Sequence, residues 1–272
     1  MALDPLYPAT AIEGALRAGR VHRRFFRHQV RIDKKGPIDL VTAADLEAEG
    51  EFRALIAERF PTHGVLGEEA GAGADPGGPS GASAPVRWII DPLDGTTNFA
   101  HGVAFFCVSI ALEVRGVLEV GVVYDPIAEE LFTAERGGGA WLNGVRIHVS
   151  ETRELVDALL CTGFPYTVRE RRRRQVEVFA AFLGEARAVR RLGSAALDLC
   201  HVAAGRFDGF WEERLQPWDL AAAALIVHEA GGRLTRYDGS PLDLFRGETA
   251  VSNGWVHDAL LTVIRRAAGP AA

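Results

Sequence analysis

The sequence predicts an α+β fold of packed layers arranged as two lobes, and three shifts of pattern along the chain predict it. Apolar residues recur at helical spacing as far as Phe60, alternate with period two between Val86 and Val149, and beyond Ser150 fall into helical blocks interleaved with short strands. The expected division is a first lobe over residues 1–150 and a second over residues 151–272. Of 272 residues, 48% are apolar and 24% charged, which is enough apolar material for a full core.

The first helix is expected from Ala9 to about Val30, where Ile12, Ala15, Leu16, Phe25 and Phe26 share a stripe between arginines. A second starts after Thr42, because Thr42-Ala-Ala-Asp45 reads as a capping box with Asp in place of the usual Glu. Phe52, Leu55, Ile56 and Phe60 continue it, and Pro61 closes it. Gly71 to Pro85 holds almost nothing but Gly, Ala, Pro and Ser, so it cannot offset its ordering entropy and is expected to be a mobile surface loop.

Trp88 to Asp91 reads as a short buried strand. Val108, Ile110, Leu112 and Val114 alternate, Arg115-Gly116 turns, and Val117 to Tyr124 runs back as a hairpin partner. Strands are also expected at Leu131–Ala134 and Val145–Val149, with Asn143-Gly144 the turn before the latter. Helices follow at Arg169–Phe182, Ala195–Ala204 and Leu220–Ala230, the last stopped by Gly231-Gly232.

A formal net charge of -6 offers nothing obvious to a long polyanion such as nucleic acid. A small anionic substrate would need a local source of positive charge. Cys107, Cys161 and Cys200 stand far apart and odd in number, which fits three buried thiols in a reducing cytoplasm better than disulfides or zinc. The Met-Ala-Leu-Asp-Pro start shows no signal-peptide pattern. The apolar stretch from Val103 to Val114 is broken by Ser109 and Glu113 and is too short to span a bilayer, so a soluble, cytoplasmic protein is expected.

The chemistry centres on Asp91-Pro92-Leu93-Asp94-Gly95-Thr96-Thr97-Asn98-Phe99. A buried strand ends by presenting two carboxylates three residues apart, with Pro92 stiffening the turn between them. Gly95 lets backbone approach a ligand, and Thr96-Thr97-Asn98 would open a helix whose free N–H groups suit phosphate. Carboxylates beside a phosphate cradle repel the substrate unless hard cations lie between them. Oxygen donors without His or Cys point to Mg²⁺ rather than zinc. Asp-Pro and Asp-Gly alone are ordinary turn punctuation. At ~5–7% usage per residue type, however, roughly seven fixed positions recur by chance in well under one in ~10⁵ such chains, which favours the functional reading.

Other motifs stand in a matching order. Asp39-Leu-Val-Thr-Ala-Ala-Asp45 and Gly67-Glu68-Glu69 precede the central string. Gly193-Ser194-Ala195, Phe210-Trp211-Glu212, Gln216-Pro217-Trp218-Asp219 and Glu229-Ala-Gly-Gly232 follow it. Together they resemble the inositol monophosphatase family of lithium-sensitive, metal-dependent sugar phosphatases, over nearly the whole chain. The resemblance implies a layered α-β-α-β-α sandwich of the inositol monophosphatase and fructose-1,6-bisphosphatase type.

It also implies roles. Glu68, Asp91 and the carbonyl of Leu93 would hold one Mg²⁺, and Asp91, Asp94 and Asp219 a second. Gly95 and Thr96 would bind phosphate through backbone N–H groups. Asp45 and Thr96 would orient the attacking water, with Glu68 helping or holding a third metal. Asp94, Gly193, Ser194, Ala195, Glu212 and Asp219 would contact the hydroxyls of a phosphorylated polyol or sugar. Lys34 resembles a family lysine near the metal mouth. A homodimer and inhibition by Li⁺ are further implications.

Blander readings stand beside these. Asp45 serves a capped helix, Asp219 suits an N-cap, Glu68 and Glu69 border a polar loop, and one of Glu212 and Glu213 is expected to be surface charge. His101 reads as a loop histidine, and Arg169 to Arg174 as a solvated helix face, since no aromatics interleave to suggest nucleic acid. Rival substrates on the same scaffold are fructose 1,6-bisphosphate, histidinol phosphate and phosphoadenosine phosphates. A rival class is a binding partner of the transcription machinery.

Overall fold

A computed structural model describes residues 3–28, 32–34, 40–69, 84–165, 168 and 172–268. Two helices come first, α1 (Leu6–Phe25) and α2 (Ala43–Arg59), with the short strands β1 (Ile32–Lys34) and β2 (Leu40–Thr42) paired antiparallel between them. Seven strands then form one sheet: β3 (Gly64–Gly67), β4 (Val86–Asp94), β5 (Cys107–Val114), β6 (Val117–Asp125), β7 (Glu130–Glu135), β8 (Gly139–Leu142) and β9 (Val145–Ile147). They lie side by side in chain order, with β3 and β4 parallel and every later pair antiparallel. Between β4 and β5 runs the short helix α3 (Thr96–Ala100).

The second half builds a five-stranded sheet from β10 (Leu159–Thr162), β11 (Ala188–Arg190), β12 (Gly209–Glu212), β13 (Arg233–Thr235) and β14 (Thr249–Ser252), in the order β11-β10-β12-β14-β13. Its helices are α4 (Arg172–Glu185), α5 (Ala195–Ala203), α6 (Pro217–Glu229) and α7 (His257–Ala268).

Strand alternation sorts these elements into five layers. On β4, Trp88 and Ile90 point to a core shared with Ala11, Ala15 and Ala18 of α1 and Ala48 and Phe52 of α2. Ile89, on the opposite face, joins Leu199 of α5 and Ile226 of α6. The same division recurs on β12, where Phe210 enters that inner core and Trp211 packs with Val178 and Phe182 of α4 and Leu260 of α7. The order is therefore α1 and α2, the seven-stranded sheet, α5 and α6, the five-stranded sheet, then α4 and α7. That is the expected α-β-α-β-α sandwich.

The middle layer explains the composition of α6. Every residue from Leu220 to Val227 is buried, so the helix is apolar all round, as a helix between two sheets must be. Both expected tight hairpin turns adopt positive φ, Arg115 at 52° with Gly116 at 81° and Asn143 at 49° with Gly144 at 78°, as the right-handed twist of the strands favours.

Several boundaries differ from expectation. α1 stops at Phe25 and Arg27 takes a left-handed φ of 62°, so the helix does not run on towards Val30. α6 begins at Pro217, three residues before the expected Leu220, because proline is pre-shaped for a helix's first turn. α7 was not foreseen, although His257, Leu260, Leu261 and Ile264 carry the helical spacing. The Gly71–Pro85 stretch lies outside the described residues except for Ala84 and Pro85, as does Asp39. All three cysteines are buried free thiols. Among the described residues no helix is long and apolar enough to cross a membrane.

Candidate active site

Side chains three apart on a regular strand point to opposite faces, so Asp91 and Asp94 should diverge. The β4–β5 ladder breaks its register between them: Asp91 pairs with Ser109, and Asp94 next pairs with Cys107. This irregularity re-aims the strand end, and both carboxylates line one cleft of about 520 Å³. Asp91 accepts the Leu93 N–H through Oδ1 at 2.9 Å, which fixes the turn. Gly95 has φ 99°, and a Cβ there would sit 3.0 Å from the Phe105 carbonyl oxygen, so any other residue would be strained in conformation and crowded in space.

A buried histidine braces the same turn from behind. His22 Nε2 lies 2.8 Å from the Pro92 carbonyl oxygen, which only accepts, so Nε2 carries the proton. Its ring meets Phe99 and Phe106 edge-on. Burial lowers the His22 pKa from 6.5 to about 4. A histidine depressed in the folded state contributes no penalty above its unfolded pKa, and stability is lost as pH falls from about 6.5 towards 4. Replacing it by Leu removes that penalty along with the hydrogen bond. The stability difference between parent and His22→Leu should therefore shift towards the variant by roughly 3 kcal/mol between pH 7 and pH 4. Urea denaturation of both proteins at several pH values measures it, and a constant difference would refute it.

Glu68 and Asp219 arrive from two other elements, and Asp94 is tied to a third. β3 runs parallel to β4 with Gly67 opposite Ile90, so the next residue, Glu68, comes alongside Asp91. Asp219 lies in the first turn of α6, and the Ser109 hydroxyl donates to the Trp218 carbonyl at 3.1 Å. Since Ser109 is also the ladder partner of Asp91, this bond sets Asp219 at the same place. Asp219 Oδ2 accepts the Gln216 N–H at 2.7 Å, so Gln216 is the N-cap and Asp219 its reciprocal partner, not the N-cap itself. Asp94 Oδ2 accepts the Ser194 hydroxyl and the Ala196 N–H, both at 2.7 Å, which ties it to the start of α5.

Asp45 performs two tasks with two oxygens. Oδ2 takes the Thr42 N–H at 2.8 Å and the Thr42 hydroxyl at 2.5 Å, completing the expected capping box of α2. Oδ1 lies 3.2 Å from the Thr96 hydroxyl, which also reaches the Leu93 carbonyl at 2.9 Å. Asp45 is fully buried and stands behind the cleft wall, reaching it through Thr96. Of the other candidates, Glu68, Asp91, Leu93, Asp94, Gly95, Thr96, Gly193, Ser194, Ala195, Glu212 and Asp219 line the cleft itself, and the Lys34 side chain lies outside what the structure describes.

The electrostatics of this cleft are unfavourable as the chain stands. Burial, then the charges of Glu68, Asp94 and Asp219, push Asp91 well above the usual carboxylate range. Asp219 rises through burial and through Asp94, Glu68 and Glu212. Asp94 is raised to about 6, chiefly by burial and against its bonds from Ser194 and Ala196. Burial pushes Glu212 to about 8, with Arg191 opposing and Asp94 adding. None of the leading influences on Asp91 or Asp219 is a cationic side chain. Among the described residues no three His, Cys, Asp or Glu side chains already close into a ligand cage; these carboxylates ring an open cleft. An all-oxygen donor set under mutual repulsion fits hard divalent cations, because they relieve the repulsion that the chain leaves standing.

Two surface expectations change. Glu213 is buried, 3.0 Å from Arg174 and bonded to Gln175 at 2.9 Å, so neither Glu212 nor Glu213 is mere surface charge. Arg174 also approaches Glu248, and of the expected arginine face only Arg172 and Arg173 are exposed among the described residues. His101 is exposed at the end of α3, beside a smaller cavity of about 270 Å³, and does not line the cleft. Glu69 donates its N–H to Glu49. Arg191 and Asp198 also line the cleft and were not singled out beforehand. A lone acid in the otherwise apolar run Ala195 to Cys200 was the available signal.

The family model described as the inositol monophosphatase family matches residues 4–269. An inositol-1-monophosphatase of Rhizobium meliloti (strain 1021) is 43% identical over 94% of either chain. A Nus factor SuhB of Pseudomonas aeruginosa is 44% identical, covering 92% of this chain and 94% of its own. The solved inositol monophosphatase of Anabaena (Nostoc) sp. PCC 7120 is 41% identical over 96% of either chain, with a TM-score of 0.85. A solved IMPase/NADP phosphatase complexed with Mg²⁺ and phosphate is 25% identical over 91% of this chain and 90% of its own, with a TM-score of 0.78.

Proposed function

The chain belongs to the inositol monophosphatase family, and from that premise we infer that it is a metal-dependent phosphoric monoester hydrolase converting myo-inositol monophosphate to inositol and phosphate. The observation that carries the reading is the meeting of Glu68, Asp91, Asp94 and Asp219, from the end of β3, from β4 and from α6, in one cleft where they repel one another.

Glu68, Asp91, the Leu93 carbonyl, Asp94 and Asp219 would hold two or three Mg²⁺ ions, which would supply positive charge for phosphate and for the leaving alkoxide. The residues do the rest. Gly95 and Thr96 offer backbone N–H groups to phosphate oxygens at the start of α3. Asp45 Oδ1 orients the Thr96 hydroxyl, which accepts a hydrogen bond from the attacking water; the water's proton then passes through Thr96 to Asp45. The P–O bond to the polyol breaks as the new P–O bond forms, the alkoxide takes up a proton from bulk water, and Asp45 returns its proton to solvent. Gly193, Ser194, Ala195, Glu212 and Asp94 hold the polyol on the opposite wall.

Asp45→Asn should lower kcat by roughly 10²–10⁴-fold with little change in KM, since the amide keeps the shape but cannot take the proton. Steady-state phosphate release checks it; an unaltered kcat would remove Asp45 from the proton path. The reaction itself is tested by phosphate release from inositol 1-phosphate with and without Mg²⁺, beside fructose 1,6-bisphosphate, histidinol phosphate and 3′-phosphoadenosine phosphate. Preference for one of those three would replace the inositol assignment.

Three further readings complete the proposal. The lobes 1–150 and 151–272 meet at the cleft, the protein works as a homodimer, and the three free thiols suit a cytoplasmic setting. A contact with the transcription machinery is the second functional reading, supported by the Nus factor relative. Retention of RNA polymerase by the immobilised protein, lost in an Arg172→Ala/Arg173→Ala double variant, is its expected signature.

A further inference from the structure

Asp198 sits in the first half of α5 with 1% of its surface exposed, and its Oδ1 has no hydrogen-bond partner. Its backbone is fully engaged: the N–H donates to the Ser194 carbonyl at 3.0 Å, and its carbonyl lies 3.9 Å from the Cys161 thiol. Oδ1 is left over, on a residue that lines the cleft together with Glu212 and Arg191. Burial and the charges of Glu212 and Asp94 hold its carboxyl well above the ordinary range, with Arg191 acting against them.

The ordinary explanation for an acid here is the helix dipole. An acid near a helix start improves the folding equilibrium by ~2–5-fold. A buried polar atom without a partner worsens it by ~5–150-fold. The second effect wins, so helix stability does not account for Asp198. Buried groups of this kind are satisfied by something outside the chain. The wall around it is built closely: a Cβ on Gly163 would fall 2.0 Å from Glu212 Oε2, so Glu212 lies directly against the backbone that follows β10. Two carboxyl groups and a guanidinium at one end of a cleft suit neighbouring hydroxyls, each of which both donates and accepts.

We propose that Asp198 is a specificity-determining residue: its carboxyl hydrogen-bonds a hydroxyl of the phosphorylated polyol beside Glu212, and so selects polyol over plain phosphate esters. The proposal rests on the phosphatase reading above. It leaves the phosphate end of the cleft to the residues already described.

The test uses Asp198→Leu and Asp198→Asn in the full chain with Mg²⁺, assayed on inositol 1-phosphate and on p-nitrophenyl phosphate, whose leaving group carries no polyol hydroxyls. The ratio of kcat/KM values, inositol 1-phosphate over p-nitrophenyl phosphate, should fall at least about tenfold in the Leu variant. Asn keeps a hydrogen-bonding group and should restore part of that ratio. The melting temperature of the Leu variant without substrate should equal or exceed the parent's, because an unsatisfied buried group has been removed. A ratio within about twofold of the parent, or a loss of melting temperature with equal loss on both substrates, would overturn the assignment. If the parent protein hydrolysed neither ester, the phosphatase reading would fall first and take this proposal with it.

Discussion

Asp91→Asn is expected to abolish turnover, by at least ~10³-fold in kcat, while the protein stays folded and becomes more stable in the absence of metal. Asp91 is 2% exposed, and the neighbouring charges of Glu68, Asp94 and Asp219 all oppose its ionisation. Asparagine keeps the acceptor for the Leu93 N–H, so the turn survives. It removes one charge from a crowded set, and each like-charge pair relieved is worth on the order of 1 kcal/mol or more. For catalysis the same change is severe, since Asp91 is proposed to hold two metals. Phosphate release at saturating Mg²⁺ and melting in EDTA measure the two effects. Near-parent rates would exclude Asp91 from the mechanism, and a lower melting temperature would refute the repulsion argument.

Removal of divalent metal should give the second large effect, and its pH dependence has a definite sign. Asp91, Asp94 and Asp219 have folded pKa values above their unfolded value of 3.8. Between the two values the native state binds more protons than the unfolded state, so stability is greatest at low pH and is lost as pH rises through the folded values. For Asp94, raised to about 6, the loss is on the order of 3 kcal/mol and is largely complete near neutrality. Asp91 and Asp219 act in the same direction, and Glu212, raised to about 8, extends the loss to about that pH. The buried histidines act oppositely, but only below about pH 6.5. In EDTA, stability should therefore decline from pH 6.5 to about 8, whereas excess Mg²⁺ should raise the melting temperature and flatten that decline. Calorimetry across this range, with and without Mg²⁺, decides it. A flat profile in EDTA, or no rise with Mg²⁺, would show that these carboxylates are neither crowded nor cation-binding.

Much of this molecule could be read from local pattern because its causes are local. Thr42 and Asp45 announce the start of α2 within four residues, and the capping box forms as expected. Asn143-Gly144 and Arg115-Gly116 specify their turns by backbone preference alone. The β4 strand was legible from its apolar run, yet its irregularity was not, because a register break depends on the partner strand. The burial of Glu213 is hidden from the sequence for a similar reason. Its charge looks solvent-bound in sequence, and only the packing of α4 brings Arg174 and Gln175 against it. Asp198 went unnoticed because burial without a partner is a property of surroundings.

By itself the sequence determined the donor chemistry: which carboxylates exist, which of them flank phosphate-binding backbone, and that hard cations suit them. Tertiary structure alone decided that Glu68, Asp91, Asp94 and Asp219 share a cleft and that Asp45 stands one hydroxyl behind it. The reason is one of range. Caps and turns act over a few residues, whereas the meeting of β3, β4, α5 and α6 is set by the apolar faces that stack the five layers.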